Sequence, residues 1–212
     1  MEIDKLYDYK FSILLVGLEN AGRKEFVKSY FEKTDFDYIN LNTVIKEELI
    51  KDDKKIILRF INDQDQDRFN CKISRLLLYQ VTGSIIIYNM NDNNSLKRAQ
   101  DWLKMVKTTD FFPNNMPIII VANNHDLADI KYVEKELKNE FESDSRTTII
   151  ETSLKDKDKA KQIVELFISK SIEWCQNDPL GKRCLYQEIK LRKRETEMRK
   201  KKKSKCYSGK GY

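Results

Sequence analysis

Apolar residues in this chain gather in short dense runs, separated by polar stretches rich in turn-forming residues. Phe11 to Val16 (FSILLV) is a strand-length run that stops at a glycine-bearing turn, and a helix-compatible stretch, Lys24 to Phe31, follows it. Val44 to Ile50 and Lys55 to Ile61 are β-compatible and flank Lys51-Asp52-Asp53-Lys54, a charged turn of hairpin length, which predicts an antiparallel pair. Cys71 to Leu78 (CKISRLLL) reads as a second helix with Cys71 on its core face. Three strand and helix pairs come next: Ser84 to Met90 with Ser95 to Val106, Pro117 to Ala122 with Lys131 to Phe141, and Thr147 to Glu151 with Asp158 to Trp174. The runs IIIY and IIIVA are continuously apolar, as parallel strands covered on both faces should be.

This pattern predicts an α/β fold: a six-stranded, mostly parallel sheet with one antiparallel edge strand and about five helices. In such sheets ligands sit beyond the carboxyl ends of the strands, so chemistry is sought in the segments just after each strand.

Composition narrows the class. The chain has 212 residues, 40% of them hydrophobic and 35% charged, enough to bury a core and too clustered in its apolar content for global disorder. No apolar run approaches the roughly 18 residues of a membrane span, and Met1 to Lys10 is polar and mixed in charge. A soluble, non-secreted, cytoplasmic protein is expected. Glu2 stands where N-myristoylation would need glycine. Cys71, Cys175, Cys184 and Cys206 show no metal-ligand spacing and His125 has no second histidine to join it, so reduced thiols and no structural metal are expected.

Charge is unevenly placed. Lys190 to Lys205 holds ten basic residues against Glu195 and Glu197, a local charge of +8; with a formal total of +6, the rest of the chain sums to −2. The basic character lies in the tail, which suggests a division into a body at 1–180 and a basic helical extension and flexible tail at 181–212.

Four segments after strands carry a recognisable pattern. After the first comes Gly17-Leu18-Glu19-Asn20-Ala21-Gly22-Arg23-Lys24, with glycines spaced as in the phosphate loop G-x-x-x-x-G-K-[ST] and the matching strand-to-helix context. After the third comes Ile61-Asn62-Asp63-Gln64-Asp65-Gln66, after the fifth Ala122-Asn123-Asn124-His125-Asp126, and after the sixth Glu151-Thr152-Ser153-Leu154-Lys155. In this order and spacing they resemble the phosphate loop, D-x-x-G-Q, N-K-x-D and E-T-S-A-K segments of small GTPases of the Ras superfamily. GLENAG and ANNHDL are similar to the Arf group, whereas Asp101-Trp102-Leu103, ETSLK and the basic tail are similar to the Rab and Ras groups, towards which the balance leans.

The resemblance implies a P-loop GTPase fold over residues 1–180 and guanine nucleotide, GTP or GDP, as the ligand. It assigns guanine binding to Asn123, Asn124, Asp126, Ser153, Leu154 and Lys155. Asp126 matches the aspartate that accepts hydrogen bonds from the guanine ring, and Asn123 the asparagine that braces the loop and base. Ser153-Leu154-Lys155 offers a backbone N–H to the guanine oxygen and a lysine stem over the ring, while Asn124 replaces a lysine stem.

Phosphate binding falls to Gly17, Asn20, Ala21, Gly22, Arg23, Lys24 and Glu25, and here the chain departs from the family. Arg23 fills the lysine place with a planar fork. Lys24 offers no oxygen to Mg²⁺, and Asn62 replaces the carboxylate that holds the metal's water shell, so no metal ligands are assigned. Lys24 (+1) and neutral Asn62 in place of Mg²⁺ (+2) and its aspartate (−1) leave the same local sum of +1, which would let the site hold a nucleoside diphosphate without metal. Asp65 stands where the family has the glycine whose N–H holds the γ-phosphate. A carboxylate about 4 Å from a phosphate oxygen costs on the order of 4 kcal/mol at an effective dielectric near 20. Switch couplings are typically only about 1–3 kcal/mol. Tyr38 falls where the family places its Mg²⁺-binding threonine. Gln66 matches the catalytic glutamine that positions the attacking water, which counts for little without metal and a cradled γ-phosphate.

The tail adds a second question. At about 1 kcal/mol per basic residue near an anionic leaflet, even half of the run gives useful membrane attraction. Cys206 beside it is a candidate for palmitoylation, and Ser208-Gly209-Lys210-Gly211-Tyr212 lacks a C-a-a-X box, so prenylation is not expected. A solvated solubility segment and binding to RNA or acidic protein are the other readings of a bare basic run; no aromatic interleaving or nucleic-acid module favours RNA. Three functions stay open: a degenerate or weak GTPase acting as an adaptor in vesicle trafficking or signalling, an active Rab/Arf-like switch, and a nucleotide-free protein-interaction domain. Effector proteins at the switch face are expected partners of the first two.

Overall fold

The structure is a computed structural model, and it describes residues 7–31, 45–62, 81–108, 112–113, 115–124, 146–179 and 181. Six strands form one sheet: β1 (Tyr9–Val16), β2 (Ile45–Lys51), β3 (Lys54–Asn62), β4 (Gly83–Asn89), β5 (Ile118–Asn123) and β6 (Thr147–Glu151), in spatial order β2-β3-β1-β4-β5-β6. Only β2 and β3 pair antiparallel; every other pair is parallel. The expected sheet, with one antiparallel edge strand, is therefore present.

Three α-helices lie among the described residues: α1 (Arg23–Phe31), α2 (Asn93–Thr108) and α3 (Lys157–Asn177). The other two helices expected, at Cys71 to Leu78 and Lys131 to Phe141, fall outside those residues. α1 packs against α3, and α2 against β4.

The continuous apolar runs behave as expected of central parallel strands. Phe11, Ile13, Leu14, Leu15 and Val16 of β1 and all of β5 are buried, so both faces of these strands are covered. On α3, Ala160, Ile163, Val164, Phe167, Ile168, Ser171, Trp174 and Cys175 are buried, a helical stripe turned to the core. α3 starts at Asp156, whose side chain accepts from the backbone N–H of Asp158 at 3.1 Å, satisfying one first-turn donor.

The edge hairpin turns tightly. Lys51 pairs with Lys54, leaving Asp52 and Asp53 as a two-residue loop with φ of 50° and 57°, the left-handed pair that matches the twist of the flanking strands. Parallel register puts the carboxyl ends of β1, β4, β5 and β6 along one rim. Gly17, Met90, Asn124 and Thr152 leave the sheet there.

Candidate functional site

The segment after β1 bends back against its neighbours before α1 begins. Gly17 takes φ of 143°, and a Cβ on it would lie 2.1 Å from the carbonyl oxygen of Ile87 in β4. Glu19–Ala21 form one short 3₁₀ turn, closed by the N–H of Ala21 on the Leu18 carbonyl at 3.1 Å. Gly22 then adopts φ of 102°, and a Cβ there would sit 2.3 Å from Nδ2 of Asn123. Both glycines are thus demanded twice, by backbone conformation and by space. α1 opens immediately afterwards, its first-turn N–H groups directed at the loop.

Asn123, the last residue of β5, holds this loop to the segment after β6. Its Nδ2 donates to the carbonyl oxygen of Ala21 at 2.9 Å, and its Oδ1 accepts from the N–H of Leu154 at 2.9 Å. The asparagine is buried, as are Ala21 and Leu154. Ser29 of α1 adds a longer contact, Oγ to the Leu154 carbonyl at 3.4 Å, and Thr152 donates its N–H to Ala122 at 2.9 Å. Three segments far apart in the chain meet on one amide side chain.

The resulting groups divide into two halves. On one side stand Asn123, Asn124 in a left-handed conformation (φ 67°), partly buried Ser153, buried Leu154 and exposed Lys155. The hydroxyl of Ser153 is closed off from solvent and has no hydrogen-bond partner among the described residues. Since the Leu154 N–H goes to Asn123, a donor from this loop to a ligand's oxygen has to come from its neighbours. Asp126 lies outside the described residues.

On the other side, Arg23 is buried at the start of α1 and Glu25 is exposed in the same turn. The ammonium of Lys24 turns back across the glycine turn and donates to the carboxylate of Glu19. That contact holds the Glu19 carboxyl below its ordinary value, through the hydrogen bond first and the lysine's charge second. Asn20 donates from Nδ2 to Oδ2 of Asp92 at 2.9 Å, which lowers the Asp92 carboxyl in turn. Asp92 also accepts from the N–H of Asn94 at 2.9 Å, fixing the entry to α2.

Of the residues singled out in the sequence, Gly17, Asn20, Ala21, Gly22, Arg23 and Lys24 lie on the turn after β1 and the start of α1, and Asn123 ties that turn to Leu154, next to Ser153. Gln66, Asp65, Asp126 and Cys206 lie outside the described residues. Glu19 and Asp92 were not among the residues expected to act here. A signal for Asp92 exists, since it too follows the carboxyl end of a strand.

Comparison with known proteins decides the family. A family model for the Ras family matches residues 12–173, a span that runs from within β1 to within α3. The chain belongs to the Ras family. It is also 25% identical over 184 residues to Ras-related protein Rab-3C of Bos taurus, covering 83% of this chain and 79% of the relative. It is 25% identical over 169 residues to Ras-related protein Rab-3A of Homo sapiens, covering 78% of this chain and 75% of the relative. GTP-binding protein Rab-3D of Rattus norvegicus matches at the same identity, length and coverage as Rab-3A. These relatives place it on the Rab-like side of the small GTPases, the side towards which ETSLK and Asp101-Trp102-Leu103 lean. Ras-family GTPases bind guanine nucleotide.

The residues fit the two implied groups unequally. The glycine cradle, the Asn123 bridge and the buried, unpartnered Ser153 hydroxyl suit a nucleotide. They do not suit Mg²⁺: Lys24, in the place of the metal-binding hydroxyl, carries an ammonium engaged with Glu19, and Asn62 at the end of β3 is an amide rather than a carboxylate. Two cavities, of about 460 Å³ at Arg146 and the end of α3 and about 420 Å³ between Tyr30, Ile50 and Ile168, lie away from this site. No helix among the described residues is long and apolar enough to cross a membrane.

Proposed function

We propose that this Ras-family protein binds guanine nucleotide mainly through the base side, hydrolyses GTP weakly or not at all, and acts as an adaptor in vesicle trafficking or signalling. The reading rests on one contrast. Asn123 keeps the base-side loop braced with two hydrogen bonds of 2.9 Å, while on the phosphate side Lys24 is engaged by the chain's own Glu19. The frame of the base side is retained; on the phosphate side Arg23 replaces the phosphate-holding lysine and the extra charge of Lys24 is engaged internally.

Guanine contacts fall to Asn124, Asp126, Ser153 and Lys155, with Asn123 and Leu154 forming the frame beneath. The loop of Gly17, Asn20, Ala21, Gly22 and Arg23, with Glu25 in the first turn of α1, encloses what phosphate is present. Since Mg²⁺ does not fit, no hydrolytic step is derived through it. Gln66 is then a water-positioning residue with little to position. The basic run Lys200-Lys201-Lys202-Lys203 supplies a means of peripheral attachment to anionic membrane, with Cys206 as a lipidation site.

Denaturing the purified protein and identifying the released nucleotide by chromatography, alongside single-turnover GTP hydrolysis, tests this. Guanine nucleotide with slow or absent turnover is the expected result. Turnover at an ordinary intrinsic rate overturns it in favour of an active switch. Absence of nucleotide, with no binding of added guanosine or GDP, overturns it in favour of a nucleotide-free interaction domain.

A further inference from the structure

Glu19 and Lys24 stand on either side of Gly22, five positions apart, and their side chains are 63% and 46% exposed. The pair therefore faces the mouth of the loop instead of being sunk in the core. Asp92 brings a second carboxylate to the same mouth, held there by Asn20 at 2.9 Å. Both carboxyls sit below their ordinary values, so both are ionised at neutral pH. A phosphate entering this loop has to share Lys24 with Glu19 and lie beside its carboxylate.

We propose that Glu19 is a specificity residue: an internal anion that occupies Lys24 in place of ligand phosphate, so that the site favours guanine ligands carrying fewer phosphates. This rests on the guanine-site reading above and adds to it a rank order. Each added phosphate places more negative charge opposite Glu19 and Asp92, and the Glu19 carboxylate already draws on the charge and one N–H of Lys24, leaving less of both for a ligand. The helix N-terminus of α1 attracts anions in general, but its field acts on Glu19 as well as on a ligand.

Isothermal titration of guanosine, GMP and GDP against the full-length protein and Glu19→Gln, in metal-free buffer, reads the rank order. Pyrophosphate is titrated in parallel as a probe of the loop that does not depend on the base. The wild-type chain is expected to bind guanosine at least as tightly as GDP. Glu19→Gln is expected to gain about tenfold for GDP and for pyrophosphate while its guanosine affinity stays the same. An unchanged GDP-to-guanosine ratio together with unchanged pyrophosphate affinity in Glu19→Gln overturns the assignment, as does a wild-type affinity that rises with phosphate number. If neither protein binds guanosine, GMP or GDP, the guanine-site reading fails, and the pyrophosphate comparison alone decides for or against Glu19. Circular dichroism of the variant, whose substitution is at an exposed position, checks that the fold is kept.

Discussion

Asn123 and Ala21, 102 residues apart in the chain, are joined by a 2.9 Å hydrogen bond from the asparagine Nδ2 to the alanine carbonyl oxygen. The same side chain accepts from Leu154, so one buried amide sets the distance between the glycine turn and the loop after β6. Removing it strands a buried carbonyl on one side and a buried N–H on the other. Each unsatisfied group costs about 1–3 kcal/mol, so Asn123→Ala is expected to lose roughly 2–4 kcal/mol in urea unfolding of the nucleotide-free protein. Asn123→Asp is expected to fare no better, since a carboxylate would face the Ala21 carbonyl. Wild-type stability in either variant would mean the bridge carries no weight.

Gly22 tests the other face of the same contact. At φ of 102° an alanine is strained, and its Cβ would fall 2.3 Å from Asn123 Nδ2. Relief requires moving either the turn or the asparagine, and both ends of the bridge then suffer. Gly22→Ala is expected to destabilise the protein by about 2 kcal/mol or more. It should also abolish guanosine binding, whereas substitution of the exposed Glu25 should change stability little. Differential scanning fluorimetry with and without guanosine separates the two effects.

The fold was legible because its strands are dense apolar runs, and burial on both faces leaves such runs few alternatives. Element ends were less so. β1 begins at Tyr9, ahead of the apolar run, because Tyr9 and Lys10 pair with Ile56 and Ile57 of β3, and α2 begins at Asn93 because Asp92 accepts from Asn94. At the site, the glycines and Asn123 are legible from spacing, since both turn geometry and the brace depend on residue type at fixed positions. The Glu19–Lys24 pair was not, because charges five apart across a glycine turn meet only once the turn has its shape. Asn20 and Asp92, 72 residues apart, meet only in the folded chain.

The edge hairpin offers a test independent of ligand. Asp52 and Asp53 sit at φ of 50° and 57°, where aspartate is tolerated and glycine is at ease. Asp53→Gly is expected to stabilise by about 0.5 kcal/mol, the relief of strain being partly offset by the freer unfolded chain. That corresponds to about 1–2 °C in Tm for a chain of this size. Asp53→Val, β-branched at a positive φ, should instead cost more than about 1 kcal/mol. Thermal melts of the two variants moving in the same direction would contradict the turn geometry.

Acid titration follows from the two lowered carboxyls. Glu19 titrates below 4.5 because Lys24 donates a hydrogen bond to it, with the lysine's charge second, and Asp92 below 3.8 because Asn20 donates to it. In the unfolded chain both take up protons at their ordinary values. Between those values and the lowered folded ones the unfolded state binds more protons, so this contribution to stability is present above the ordinary values and drains away as pH falls. Both groups are solvent-exposed, which keeps the effect small. Carboxyl-carbon NMR titration should show Glu19 returning towards 4.5 in Lys24→Gln while Asp92 stays low. Movement of both, or of neither, would contradict the pairing.

Metal dependence separates this chain from a working switch most directly. Where an active site of this family needs a hydroxyl and a carboxylate, this chain presents the Lys24 ammonium, which has no oxygen to offer, and the Asn62 amide, which lacks the carboxylate's charge. Nucleotide retention should therefore be indifferent to chelation: the off-rate of a fluorescent GDP analogue is expected to be the same with Mg²⁺ and with EDTA. The double substitution Lys24→Ser with Asn62→Asp restores a hydroxyl at one place and a carboxylate at the other, and frees the Glu19 carboxylate. In that variant EDTA should accelerate release by about tenfold or more. If chelation speeds release from the wild-type chain, a cation is held by other groups, and the base-dominated mode of binding is wrong.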